Sequence, residues 1–356
     1  MLKECDAALW ERYDLGILDL DGVVYIGPDA VAGVPAHLER AAAAGMHLAY
    51  VTNSAARPPA RVAEHLRELG IPARTEDVVT SAQAAARLVA DAVPPGATVF
   101  VIGGRGLVDA LAEHGLSPAQ DISEGPAAVV SGYHPDLRWR TVVDGAILVR
   151  RGLPWVASNA DLTIPTVQGI GPGNGVLVRA VADFAEREPE VAGKPQPPLF
   201  AETRLRVGGD RPLVVGDRLD TDIEGAVNSG LDSLLVMTGV TGVRELVRAH
   251  QRQRPTYICA DLSGLGEPQT VPVADDGGCL GLDGWRAAVT DGVLTIGGDG
   301  TDDDWWRLVA TVAWLHLDTT GGPVDTARLS SPGSVTPDQT TDAHGRETVT
   351  RDDRRT

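Results

Sequence analysis

From Leu15 onward the chain is a series of short apolar runs that stop abruptly at polar residues, with longer segments of helical spacing between them. LGILDLD (Leu15–Asp21) predicts a buried strand, and VAGVPAHLERAAAAGM, whose apolar positions fit one helical face rich in Ala, predicts a helix. HLAYVTNS then reads as a second strand and ARVAEHLRELGI as a second helix, closed by Gly70 as its C-cap. Short buried strands alternating with helices predict an α/β fold, a Rossmann-like parallel sheet covered by helices.

The alternation restarts at TSAQAAARLVADAV (Thr80–Val93), a helix with Ser81 as candidate N-cap. ATVFVIGG, PAAVVSGY and LPWVASNAD read as strands; GLVDALAEHG and GNGVLVRAVADFAERE read as helices. We therefore expect residues 81–187 to form a second α/β unit inserted into a core made of residues 12–80 and 188–265. PLVVGDRLDTDIEGAVNSG marks the return to that core, followed by the strand DSLLVMTG. Beyond residue 265 the character changes. A stretch rich in Gly, Pro and Asp leads to WRAAVTDGVLTIGG, read as two short strands. DDDWWRLVATVAWLHLD follows as an amphipathic helix carrying Trp305, Trp306 and Trp314. We expect a small α+β extension over 266–318 with those tryptophans in its core. From about Thr319 the chain is dominated by Thr, Asp, Arg, Gly and Pro and has no aromatic residue, and disorder is expected, because such a composition buries too little apolar area to offset ordering entropy.

Composition narrows the partners. An apolar content of 43% over 356 residues is ample for a globular core, and a formal net charge of −18 argues against nucleic acid and against an anionic membrane surface. It does not argue against a small anionic substrate, because a bound metal and a few local cations can invert the field inside a cleft. Cys5, Cys259 and Cys279 do not make a disulfide framework. The charged N-terminus does not read as a signal peptide, and no run is long and apolar enough to span a bilayer, so a cytoplasmic location is expected. Among 31 Lys plus Arg, only Lys3 and Lys194 are lysine, which makes Lys194 conspicuous.

The chemistry gathers at strand ends. Asp19 and Asp21 end the first strand, Thr52 and Asn53 the second, and Asp217 the strand PLVVGD. Ligands of open α/β sheets bind at the carboxyl ends of the strands, so these residues can converge. VAGKPQPP places Lys194 in a turn before the helix that leads to Asp217. This set suits phosphoryl transfer. A hard cation such as Mg²⁺ takes oxygen ligands: carboxylates of Asp19 and Asp217, the backbone carbonyl of Asp21, and Asp222 directly or from behind. Lys194 and Thr52 can hold phosphate oxygens, with backbone N–H groups around Asn53 and Ser54 as further donors. Asp19 would attack phosphorus, and Asp21 would protonate the leaving oxygen and later deprotonate water. Gly22 allows a sharp turn beside them.

DLDGVVYIG, VTNS, GKP and GDRLDTDI, in that order, closely resemble the four motifs of haloacid dehalogenase-superfamily phosphatases. The insertion between VTNS and GKP is similar to the class IIA cap of the 4-nitrophenylphosphatase, phosphoglycolate phosphatase and pyridoxal phosphatase group; PGNG (Pro172–Gly175) and DVVTSAQAAA also look like that group. The resemblance covers about residues 12–262. It implies Asp19 as nucleophile, Asp21 as acid/base, Asp19, Asp21 and Asp217 as Mg²⁺ ligands, and Thr52, Asn53 and Lys194 as phosphate contacts. It also implies a cap that selects the substrate and often mediates homodimers. Including the C-terminal extension, the chain is most similar to actinobacterial members proposed to act on glycerol 3-phosphate, which makes that ester the first expected substrate. The alternatives are 2-phosphoglycolate, pyridoxal phosphate, a nucleotide monophosphate, a phosphomutase reaction, or a ligand-sensing module with a long-lived aspartyl-phosphate. Asp21 argues against dehalogenation, which needs no general acid at that position. Asn159, Thr166 and Gln168 are the candidate cap contacts.

Two other motifs carry less. FVIGGRG (Phe100–Gly106) follows a strand, but Asp109 occupies the position of the third glycine of a dinucleotide fingerprint, so a cap turn is expected. The extension faintly resembles part of an acetyltransferase fold, yet lacks a loop for the CoA pyrophosphate, and no acetyl transfer is expected.

Overall fold

The computed structural model describes residues 1–166, 168–274 and 279–329. Six parallel strands form the core sheet in the order Tyr257–Cys259, Asp232–Val236, Pro212–Gly216, Leu15–Asp19, His47–Thr52, Val78–Thr80. Leu15–Asp19 is central: Ile17 pairs with Val214 on one side and Ala49 on the other. Leu15, Ile17 and Leu18 are fully buried, which is why the strand is continuously apolar rather than alternating. The flanking strands stop at Thr52 and Gly216, so Asp19, Asn53 and Asp217 leave the sheet at the same edge.

The insertion builds a second parallel sheet, in the order Glu190–Val191, Trp155–Ala157, Ala128–Ser131, Thr98–Ile102, Ser117–Ala119. Glu190–Val191 pairs with the Trp155–Ala157 strand, so the chain returns to the core after Val191 rather than at 188. A two-residue strand is too short to leave a period in the sequence. The helix Ser81–Ala92 belongs to both units. It packs on Arg105–Glu113 of the cap and on Pro198–Val207 of the core, burying Ala82, Ala84, Ala85, Ala86 and Val89. Its N-cap is Thr80 rather than Ser81, with Gln83 Oε1 accepting from Thr80 N at 3.0 Å. Ser81 is directed elsewhere: its hydroxyl donates to the Asn53 carbonyl at 2.5 Å. FVIGGRG is the expected cap turn, and a Cβ at Gly106 would collide with the Ala55 carbonyl, so the glycine lets the cap close on the loop after Thr52.

The extension is a four-stranded antiparallel sheet, in the order Val273–Ala274, Leu280–Leu282, Trp285–Thr290, Val293–Gly298, covered by the helix Asp302–Thr320. Thr301 caps that helix by accepting from Asp304 N at 3.2 Å, and three aspartates in its first turn favour its dipole. Trp305, Trp306 and Trp314 are buried, in one apolar cluster with Leu235 and Ile258 of the core sheet. The Trp314 indole donates to the Leu246 carbonyl at 2.8 Å, and Arg307 donates to the Ile258 carbonyl at 3.0 Å. The extension is thus built onto the core. Order also continues past the expected boundary at 319: the helix ends at Thr320, Val324 is buried, and Asp325 bridges to Val293. Burial of Val324 comes from the folded extension, which local composition does not reveal. Residues 330–356 of the expected disordered tail lie outside the described residues. Among the described residues, no helix is long and apolar enough to cross a membrane.

Trp314→Ala is expected to lower stability by about 3–5 kcal/mol, read as the midpoint of urea unfolding. A midpoint unchanged from the wild type would mean that the extension contributes nothing to the core.

Candidate active site

Asp19, mostly buried, stands at the carboxyl end of the central strand. Its Oδ1 accepts from Lys194 Nζ at 2.5 Å, and the same ammonium donates to Asp222 Oδ1 at 2.7 Å. Lys194 is only 3% exposed. Burial works against its charge, but the carboxylates of Asp19 and Asp222 outweigh this and hold its pKa above the ordinary lysine range.

Asp222 reaches that position through a π-helical turn, Leu219–Ile223. Its Oδ2 accepts from Arg218 N at 3.1 Å. Asp217 is fully buried, with Oδ2 accepting from Val240 N at 2.7 Å. Its other oxygen, Oδ1, is buried without a protein partner. Glycines at 22 and 239 make this packing feasible, because a Cβ at either would collide with the Asp217 carboxylate. Gly22 also has φ +84°, and Thr238 Oγ1 donates to its carbonyl at 2.6 Å.

Three carboxylates, of Asp19, Asp217 and Asp222, present oxygens all within 4.8 Å of one another. One ammonium cannot neutralise them. Burial, then the charges of Asp222 and Asp19, pushes Asp217 up to about 7. Burial likewise raises Asp19 and Asp222, against the pull of Lys194. A second cation fits this donor set: the ligands are hard oxygens, they lie within 4.8 Å of one another, and Asp217 Oδ1 has no protein partner. The Asp21 carboxylate is not in that cluster, which leaves its backbone carbonyl as the expected ligand atom. Its side chain keeps an open face to solvent. Desolvation there raises its pKa, opposed by Lys194, Arg57 and His65.

The phosphate-site candidates divide. Thr52 is buried, and its Oγ1 accepts from Ser54 N at 3.1 Å, leaving the hydroxyl proton to donate. Ser54 itself is exposed. The Asn53 side chain faces inward rather than into the cleft. Its Oδ1 accepts from Lys194 N at 2.8 Å and its Nδ2 donates to the Lys194 carbonyl at 3.0 Å and to the Asp161 carboxylate at 3.1 and 3.2 Å. The side-chain amide thus orders the lysine loop.

Of the cap candidates, the structure brings Asn159 to the site. It is buried and its Nδ2 donates to the Asn53 carbonyl at 2.7 Å. Thr166 and Gln168 lie exposed at the turn between Thr163–Thr166 and Gly169–Pro172, where Thr166 Oγ1 donates to the Gly169 carbonyl and accepts from Gln168 N. Sequence reasoning missed Asp161, Thr238 and Val240. Asp161 had a usable signal, since Asn159 and Asp161 also follow the carboxyl end of an apolar strand; Val240 acts through its backbone and had none.

This chain is similar to proteins of known kind. Residues 16–117 match the family model for haloacid dehalogenase-like hydrolases, and residues 191–265 match a second, HAD-hydrolase-like model. The D-glycerol 3-phosphate phosphatase of Mycobacterium tuberculosis is 41% identical over 295 residues, 83% of this chain and 81% of that protein. The acid sugar phosphatase of Staphylococcus aureus is 34% identical over 255 residues, 71% of this chain and 96% of that protein. Among solved structures, the M. tuberculosis glycerol phosphate phosphatase in complex with magnesium superimposes with a TM-score of 0.79 at 38% identity, covering 87% of this chain and 92% of that one. The two-sheet architecture, the carboxylate cluster around Lys194 and these likenesses agree: the chain belongs to the haloacid dehalogenase-like hydrolase family.

Proposed function

We propose that the chain is a magnesium-dependent phosphomonoesterase that hydrolyses glycerol 3-phosphate through an aspartyl-phosphate on Asp19. The observation that carries this reading is the position of Asp19, whose carboxylate is bonded to the Lys194 ammonium and has an oxygen within 4.8 Å of those of Asp217 and Asp222. The similarity to the M. tuberculosis phosphatase supports the choice of metal and substrate.

Magnesium held by Asp19, Asp217 and the Asp21 backbone carbonyl, with Asp222 beside them, would screen the carboxylates from one another and polarise the phosphoryl group. Lys194, Thr52 and the backbone N–H groups after Thr52 hold the phosphoryl oxygens as charge shifts onto them. An Asp19 oxygen attacks phosphorus; the P–O bond to glycerol breaks, and the leaving alkoxide takes the Asp21 proton. Asp21, now a carboxylate, removes a proton from water, which attacks the aspartyl-phosphate and frees Asp19 and inorganic phosphate. A raised pKa suits Asp21 to both steps. The cap encloses the organic part of the ester.

Wild type is expected to release phosphate from glycerol 3-phosphate in Mg²⁺ and not in EDTA, ahead of 2-phosphoglycolate, pyridoxal phosphate and nucleotide monophosphates in the same panel. Asp19→Asn should lower turnover by at least about 10³-fold with the fold intact; activity within tenfold of wild type would refute the nucleophile. Lys194→Met should cost about 3–4 kcal/mol of transition-state stabilisation, read as kcat/KM, and an unchanged value would remove Lys194 from the site.

The carboxylates also set a pH dependence. Their pKa values are raised on folding, Asp217 to about 7 from an ordinary 3.8. Between those limits the metal-free folded chain holds protons that the unfolded chain has released, so this contribution to stability falls as pH rises. A cation replaces the protons. The rise in Tm on adding Mg²⁺ should therefore be larger at pH 8 than at pH 5; an equal rise at both would detach the cluster from the metal.

A further inference from the structure

We propose that Asp161 of the cap is a positioning residue, which fixes the orientation of the Asn53 amide and through it the placement of Lys194. The inference rests on the phosphatase reading of the site. Asn53 bridges both polar groups of the Lys194 main chain, N–H to Oδ1 and carbonyl to Nδ2. A side-chain amide can rotate by half a turn and exchange its oxygen and nitrogen. The two Lys194 groups oppose this, and Asp161 reinforces them. Both its oxygens face Asn53 Nδ2, and a carboxylate only accepts. In the rotated amide, oxygen would oppose carboxylate, and NH₂ would oppose the Lys194 N–H. With Asp161 in place, one orientation satisfies all three groups, and the lysine loop is held with Nζ on Asp19.

Asp161 is itself built in. Its N–H donates to Asn159 Oδ1 at 3.2 Å and its carbonyl accepts from Gly175 N at 2.8 Å. Asn159 is held in turn by Asn174 Nδ2, which donates to the Asn159 carbonyl at 2.7 Å. Pro172–Gly175, the PGNG stretch, is the cradle. A Cβ at Gly173 would collide with the Asp161 carbonyl and one at Gly175 with the Ala160 carbonyl. Holding a carboxylate here is costly, since burial raises its pKa. An apolar residue would fill the space more cheaply but would leave Asn53 Nδ2 without its second acceptor, so that the Lys194 main chain alone held the amide. The cap thereby contributes to the core site without touching the reacting atoms.

The test compares kcat and KM of the full-length magnesium enzyme and its Asp161→Ala and Asp161→Asn variants, on glycerol 3-phosphate and on 4-nitrophenyl phosphate, with Tm for each. Asp161→Ala is expected to lose roughly 10–100-fold in kcat on both esters alike, with KM little changed and Tm near that of wild type. Asp161→Asn keeps an oxygen acceptor for Asn53 and is expected to restore most of the rate. An Asp161→Ala enzyme as fast as wild type overturns the proposal. So does a loss confined to glycerol 3-phosphate, which would make Asp161 a contact for the substrate hydroxyls, and so does an Asn variant as slow as Ala. Should Asp161→Ala fail to fold, Asp161→Ser, whose hydroxyl is too short to reach Asn53, decides in the same way. A wild type inactive on both esters would reject the phosphatase reading instead. The crystal structure of the Ala or Ser variant then decides for Asp161: Asn53 turned away from the Lys194 main chain supports the role, and an unmoved Asn53 overturns it.

Discussion

Carboxylates outnumber cations in a largely buried site, and the structure is arranged around that imbalance. Asp19, Asp217 and Asp222 bring oxygens within 4.8 Å of one another, while Lys194 supplies a single ammonium. Such a cluster is stable only with protons or a second cation, because buried like charges each raise the others' pKa. The same imbalance underlies the proposed chemistry. A cation that relieves it leaves Asp19 ionised at neutral pH, pointed at whatever the lysine holds. The supporting features all serve to crowd these groups: glycines on both sides of Asp217, a π-helical turn that swings Asp222 back to Arg218, and a backbone N–H from Val240.

The second theme is that the three parts of the chain share structure rather than touching at edges. The Ala-rich helix Ser81–Ala92 is a wall of both sheets, and its first residue holds the Asn53 carbonyl. Asn159 holds the same carbonyl from the cap, so Asn53 is gripped from helix, cap and lysine loop at once. The extension packs its tryptophans with Leu219 and Ile223 of the segment that carries Asp222, and its Trp314 indole holds Leu246 just beyond the Thr238–Thr241 loop that encloses Asp217. Cap and extension both brace the core site.

Much of this was legible in the sequence because its carriers are local. Buried parallel strands are continuous apolar runs, so LGILD, HLAYVT and PLVVG announce themselves, and the polar residues that follow each run mark the edge where ligands bind. The helices declare their faces, and Gly70 and Gly22 their turns. Local pattern therefore yields the inventory: a parallel core, an inserted unit, an added tryptophan-rich helix, and Asp19, Asp21, Thr52, Lys194, Asp217 and Asp222 as the candidate site.

Tertiary structure alone decided how those residues are used. Glu190–Val191 joins the cap sheet because a strand partner is waiting, and Val324 is buried because the extension's sheet lies beneath it. Thr80, extended, takes the N-cap position, and Ser81, the first helical residue, directs its hydroxyl to Asn53. Asn53 turns from the cleft to the Lys194 main chain, 141 positions away, and to Asp161, 108 positions away. Hydrogen bonds of that span depend on where two distant segments meet, and no local period or spacing encodes the meeting. Residue type sets what each group can donate or accept; only the packed fold sets which partner is within reach.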